Sequence, residues 1–246
     1  MGLGHRLELD QGDPCCWRTD GPDKRNRWAC RFQEAAPAGA NLAPVSLYPV
    51  LVAEKLLLLL TDTETGRVRG QFADRALAGA LLMDLSFRGR IRVTEKGERS
   101  HRPNRVVVVN DAPTDDAVLD AALARLAGTE RRMQSAVGRL AGQVRTPLRE
   151  RLIAAGAAGD RAAKQDLLTT LRQVLLDGVR PDTDTAALIG ALAALGRLPG
   201  ILGERLSREQ KRAVRQRASE LRQQNWAADA AYRSIVATNA IIAGGA

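Results

Sequence analysis

The residues whose type and spacing could do chemistry in this chain are arginines. VRTPLRERLIAAG (Val144–Gly156) carries Arg145 and Arg149 four positions apart, with Pro147 between them. With Pro147 in the first turn of a helix, where its missing N–H is tolerated, both guanidiniums share one face, and Arg151 points elsewhere. A second stripe, Arg208, Lys211, Arg212 and Arg215, falls in SREQKRAVRQRASELR and reads first as a solvated helix face. Guanidinium forks suit phosphate, so the chemistry on offer is anion binding. FRGR (Phe87–Arg90) looks like a third basic site, but Gly89 suits a helix C-cap and the flanking arginines suit the negative end of a helix dipole.

Catalytic chemistry has little to work with. The two histidines, His5 and His101, lie apart in sequence, and general-base or metal chemistry wants more. Cys15, Cys16 and Cys30 lack a four-ligand spacing and read as free thiols in a reducing, cytoplasmic setting. The pairs Asp115/Asp116 and Asp182/Asp184 stand where helix starts need acidic caps. There is no nucleophile elbow, phosphate-binding glycine loop or zinc-ligand pair. The expectation is a non-enzymatic protein with no catalytic residue, cofactor or metal.

The elements that must position the arginines follow from composition and period. The chain has 246 residues, 45% hydrophobic and only 3% aromatic, so the core is built from Leu, Val, Ile and Ala and favours helix-on-helix packing. Net charge is +9. Residues 1–44 hold basic and acidic side chains in equal number, so the excess lies in 45–246. A basic folded domain points to an anionic partner: nucleic acid, a phospholipid surface or an acidic protein. Residues 1–44 read as a disordered or loosely attached arm without a signal-peptide pattern. The most apolar run, Val50–Leu60, is interrupted by Glu54 and Lys55 and falls short of the ~20 residues that span a bilayer. A soluble or peripheral protein is expected.

From Pro49 a helix packed hard into the core is predicted, closing at Thr61–Gly66, with a short strand or turn at Arg67–Gly70. Phe72, Ala76, Leu77, Ala80, Leu81 and Leu85 recur at helical spacing. Ile91–Val93 and the β-branched run Arg105–Asn110 make a hairpin. A cap cluster at Asp111–Asp115 opens the helix through Val118 and Leu126. Further helices are predicted at 131–142, 147–156, 164–177, 183–198 and 207–241. Pro199–Gly200 is expected to separate the last two, and Ala154–Asp160 to be a featureless linker.

LAGALLMDLSFRGRI (Leu77–Ile91) followed by VVVVNDAPTDDAVLDAAL resembles the Golgi phosphoprotein 3 family, as a bacterial-type relative of the Golgi adaptor. Arg88, Gly89, Arg90, Asp111, Ala112, Pro113 and Thr114 fit the family pattern, Phe87 replaces its leucine, and LRERL (Leu148–Leu152) and LLDG (Leu175–Gly178) fit further on. The resemblance covers roughly residues 50–242. It implies a mainly α fold: a single helical domain, here 45–246, around a buried central helix with one or more small β-hairpins. It implies phosphatidylinositol 4-phosphate binding at a membrane surface, and an adaptor that holds cytoplasmic tails of membrane proteins. The family's headgroup tryptophan falls at Arg69, its helix arginine at Ala78, and its later arginine pair at Thr146 and Arg149. Arg149 alone is kept. Arg75, one turn before Ala78, Arg145, one turn before Arg149, and Arg69 offer a displaced basic pocket. The apolar hairpin that relatives place after the LRERL helix is reduced to AAGAAGDRA, so attachment would rest on charge, about 1 kcal/mol per basic residue at an anionic surface.

The expected function is therefore a cytoplasmic peripheral membrane protein that binds anionic phospholipid headgroups through Arg149, Arg145, Arg69 and Arg75. A helix followed by a β-hairpin is also the layout of a winged helix, and +9 would suit DNA. The glycine-bearing helix is apolar nearly all round, which argues against nucleic acid as the partner.

Overall fold

The computed structural model describes residues 51–70, 72–94, 98, 105–203, 206–224, 232 and 236. The arm read at 1–44 with its cysteines, the hairpin loop with His101, and most of the helix expected beyond Gln224 lie outside these residues. Among the described residues are nine helices and a small antiparallel sheet, which is the mainly α architecture the sequence implies.

The first two helices form the centre. α1 (Val52–Leu60) is apolar on all sides, and every residue but Lys55 is buried. Lys55 reaches outward to Asp184, with Nζ 3.1 Å from Oδ2. α2 (Ala73–Phe87) packs along α1, and its run from Ala76 to Leu85 is buried without interruption. The remaining elements wrap these two. α3 (Ala117–Leu126), α4 (Met133–Ala141) and α7 (Thr183–Ala194) pack on α2, while α5 (Arg145–Ala154), α6 (Arg161–Leu175) and α7 pack on α1. α8 (Leu198–Leu202) and α9 (Arg208–Gln224) close the far side against α6 and α7.

Two buried carboxylates organise this centre. α1 begins at Leu51, which has no side-chain acceptor to cap the helix. Asp84 of α2 does so from a distance, accepting the N–H groups of Val52 at 2.9 Å and Ala53 at 3.1 Å. Burial pushes its carboxyl up to about 7, outweighing those two N–H donors and Arg88 and reinforced by the charge of Asp184. Glu54, 1% exposed, accepts Leu51 N–H and lies 3.0 Å from Arg151 Nε. The same Arg151 reaches Asp116 at 2.6 Å, and Asp116 caps α3 through the N–H groups of Val118 and Leu119. One guanidinium of the LRERL segment thus ties α5 to α1 and α3.

The motif at the end of α2 is structural. Gly89 takes φ +64°, Arg90 N–H bonds back to Leu85 O at 2.9 Å, and the chain enters β1 (Ile91–Val93). Arg90 Nη2 donates to Pro113 O at 2.9 Å, joining FRGR to DAPT in space. β1 pairs with β2 (Arg105–Val108) in the register Ile91↔Val108, Arg92↔Val107, Val93↔Val106. A third strand, β3 (Arg131–Arg132), extends the sheet on the other edge of β2, where the sequence predicted the start of a helix. Two charged residues carry no strand pattern, and only the adjacent edge of β2 draws them in.

Two further expectations are corrected. Pro199–Gly200 does not separate helices; it sits inside α8, with Pro199 in the first turn where the lost N–H is harmless. The break falls at Gly196, φ +64°, whose neighbour Arg197 N–H returns to Leu192 O. The 155–160 segment is not featureless either. Ala157 is buried, and the N–H groups of Ala157 and Ala158 both return to Leu152 O at 2.8 Å, locking the turn between α5 and α6.

Candidate functional site

The turn that follows α1 holds the candidate site together. Thr61 and Val68 form an isolated antiparallel bridge, and Asp62 builds the tip between them. Asp62 Oδ1 accepts the N–H groups of Thr65 at 2.8 Å and Glu64 at 3.0 Å, and the Thr65 hydroxyl. The Thr65 N–H does most to hold this carboxyl down at about 2, followed by the Glu64 N–H and the Thr65 hydroxyl. Its other oxygen pairs with Arg69, whose side chain remains 66% exposed. Asp62 therefore stays charged and fixes both the turn and one cation beside it.

A cleft lies on each side of this turn. The larger, about 510 Å³, is lined by Arg69 from the turn, Lys164 from α6 and Arg197 from the α7–α8 junction, with Asp62, Glu64 and Ile201. Lys164 Nζ donates to Thr61 O at 2.5 Å, so its ammonium is anchored to the end of α1. Burial lowers the pKa of Lys164, with Asp62 opposing and Arg69 adding to that shift. Arg197 is exposed and has no partner among the described residues. Three cations thus converge against two carboxylates, leaving a positive cleft able to hold phosphate oxygens. The smaller cleft, about 260 Å³, is lined by Arg149 of α5 above an apolar wall of Leu57, Val68, Leu152 and Ile153, and it shares Thr61, Asp62 and Thr63 with the first. Arg149 is exposed and unpaired among the described residues, and Ile153 beside it is 54% exposed.

Of the four arginines read from the sequence, Arg69 and Arg149 come to opposite sides of this turn. Arg145 and Arg75 line neither cleft. Arg145 Nε lies 2.5 Å from Asp74 Oδ1 in the first turn of α2, with both side chains more than a third exposed. Such a surface pair is worth little energy but offsets the charge. Arg75, next to Asp74, is half-buried. Arg145 and Arg149 start from one helix and face different neighbours. Ala78, where the helix arginine of lipid-binding relatives falls, is fully enclosed in the core.

Sequence reasoning missed Lys164 and Arg197. Lys164 has one cation at helical spacing, Arg161 three residues before it, and Arg197 has none, so neither marks a stripe, and only the packing of α6 and α8 around the end of α1 brings them to Arg69. No group of three His, Cys, Asp or Glu side chains able to hold a metal ion occurs among the described residues, and no helix among them is long and apolar enough to cross a membrane.

Comparison with known families matches residues 52–238 to Golgi phosphoprotein 3 (GPP34), which is not known as a family of enzymes. No curated protein matches the chain. The match runs from the first residue of α1 past the end of α9, through both motifs that Arg90 joins, and the chain belongs to the Golgi phosphoprotein 3 family.

Proposed function

We propose that the protein is a non-enzymatic, peripheral membrane protein of the cytoplasmic side that binds anionic phospholipid headgroups around the Thr61–Val68 turn. The observation that carries this reading is the convergence of Arg69, Lys164 and Arg197 on one cleft, with Arg149 across the same turn. Arg69 and Arg197 offer forks for phosphate oxygens, and Lys164 adds a point charge. Ile153 supplies a shallow apolar contact beside Arg149, in place of the apolar hairpin that relatives carry. Phosphatidylinositol 4-phosphate is the lipid the family membership favours. Arg69 at the tryptophan position and Ala78 at the arginine position replace an aromatic and a charged contact, so anionic phospholipids at large are the ligand class. Each cation adds about 1 kcal/mol at an anionic surface, and Asp62 and Glu64 subtract from the sum. Attachment is therefore reversible and weakens with salt. An adaptor role toward cytoplasmic tails of membrane proteins follows from the family alone.

Co-sedimentation with neutral, generally anionic and phosphatidylinositol-4-phosphate vesicles at two salt levels tests this, beside a duplex DNA shift. Binding to anionic vesicles that falls with salt and is lost in Arg69→Ala/Arg149→Ala/Arg197→Ala is the expected result. Binding that survives the triple substitution overturns the site, and absence of binding to any vesicle overturns the function. A salt-dependent DNA shift without vesicle binding makes nucleic acid the partner.

A further inference from the structure

A third cleft, of about 250 Å³, opens between the α7–α8 junction and α9. We propose that it is a second anion site, built for a phosphate monoester carried on an apolar or aromatic group. Arg215, Ser219 and Arg222 step along α9 four and then three residues apart, which places them in one line, and all three line the cleft. Nothing among the described residues pairs with Arg215, which is exposed. Arg222 lies with its guanidinium 4.0 Å from the centroid of the Tyr232 ring, and Tyr232 also lines the cleft. Stacking engages the face of a guanidinium and leaves its in-plane N–H donors available.

The charge of this cleft sets it apart from the one beside Arg69. Asp62 and Glu64 line that cleft, whereas no carboxylate among the described residues lines this one. The nearest acidic residue in sequence, Glu220, is engaged by Gln216 at 3.0 Å and Arg217 at 3.5 Å. Two guanidiniums with no carboxylate partner among the described residues match the roughly −1.5 to −2 charge of a phosphate monoester near neutral pH, and two forks with one hydroxyl match its three terminal oxygens. Leu198 and Pro199 supply the apolar wall for the group that carries the phosphate. At about 250 Å³ the cleft is smaller than a drug-sized site and suits a single headgroup or aryl phosphate. Arg212 and Arg208 continue the line away from the cleft and would draw an anion toward it.

The shared chemistry has two sources, a soluble phosphate ester or the monoester headgroup of phosphatidic acid. The full chain is titrated calorimetrically with phenyl phosphate, and its binding to phosphatidylcholine vesicles carrying phosphatidic acid is compared with vesicles carrying the diester phosphatidylglycerol. Saturable phenyl phosphate binding that weakens about tenfold or more in Arg215→Glu and in Arg222→Gln, at unchanged thermal stability, is expected. Preference for phosphatidic acid over phosphatidylglycerol, lost in the same variants, assigns the lipid source; phenyl phosphate binding without that preference assigns the soluble one. Arg69→Ala/Arg149→Ala/Arg197→Ala keeps phenyl phosphate binding, so failure of the first headgroup site and failure of this one are read separately. Wild-type affinity in Arg215→Glu, or a wild type that neither binds phenyl phosphate nor prefers phosphatidic acid, overturns the proposal.

Discussion

Replacing Asp84 by alanine removes the cap that α2 gives α1. Both recipients, Val52 and Ala53, are fully buried, so no water replaces the lost acceptor. Two stranded N–H groups cost about 1–3 kcal/mol each, against a typical total stability of about 5–15 kcal/mol. The loss depends on pH. Burial raises the carboxyl from its usual 3.8 to about 7, so the folded chain holds this proton more tightly than the unfolded chain. The resulting stability is fully present below the unfolded value and disappears as pH rises through the folded one. Between those limits the wild type loses a few kcal/mol, about 4 at most, that an alanine variant does not lose. Asp62, held at about 2, and Asp120 and Asp182, also lowered, carry the opposite sign; their stability is lost as pH falls below the usual carboxylate range, outside this window. Urea unfolding followed by helical circular dichroism, near pH 5 and near pH 8, measures the difference between wild type and Asp84→Ala. The variant is expected to be weaker by about 2–5 kcal/mol near pH 5, and the gap to narrow near pH 8. A gap that is constant or grows with pH refutes the burial argument, and a gap near zero at both refutes the cap.

Arg151→Ala leaves the buried Glu54 side chain without its ion-pair partner and uncouples α3 from α5; an equilibrium urea titration should show a loss of about 3–5 kcal/mol, partly recovered in Arg151→Ala/Glu54→Leu. Asp62→Asn keeps the acceptors for Glu64 and Thr65 but releases Arg69 from its ion pair, so sedimentation with anionic vesicles should strengthen several-fold, by about 1 kcal/mol, at low salt and converge with wild type at high salt. Gly89→Ala meets no atom within 4 Å yet must hold φ +64°, so a thermal melt should fall by the equivalent of about 1 kcal/mol and not by the larger loss of a steric clash.

The helices and the hairpin were legible because their signals are local. α1 follows from an apolar run broken only by Glu54 and Lys55, α2 from apolar residues at helical spacing, and the turn into β1 from the glycine that must take positive φ. The separation of α7 from α8 was misread because Pro and Gly mark a break only in a helix interior, and Pro199 stands at a helix start. β3 has no pattern of its own and exists through its neighbour. The site divides along the same line. Arg149 and Arg69 could be named because they fall within motifs or at matched positions, while Lys164 and Arg197 reach the cleft only through tertiary packing. The cap on α1 was invisible for that reason too, since Asp84 lies 31 and 32 residues from the groups it serves. Arg145 and Arg149 look equivalent at i, i+4, and only the position of Asp74 distinguishes them.

Ala78 sets a limit on where this fold can carry charge. At 0% exposure its methyl is surrounded by neighbours that leave no path for a long cationic side chain. Substituting arginine there would not restore the headgroup contact of lipid-binding relatives; it would bury an unpaired charge and break the centre of the fold. A cation at this position would need the helices packed on α2 to give way around it, which one substitution does not provide. The enclosed centre therefore confines any change in this surface's charge to the exposed rim, where Arg69, Arg149 and Arg197 stand.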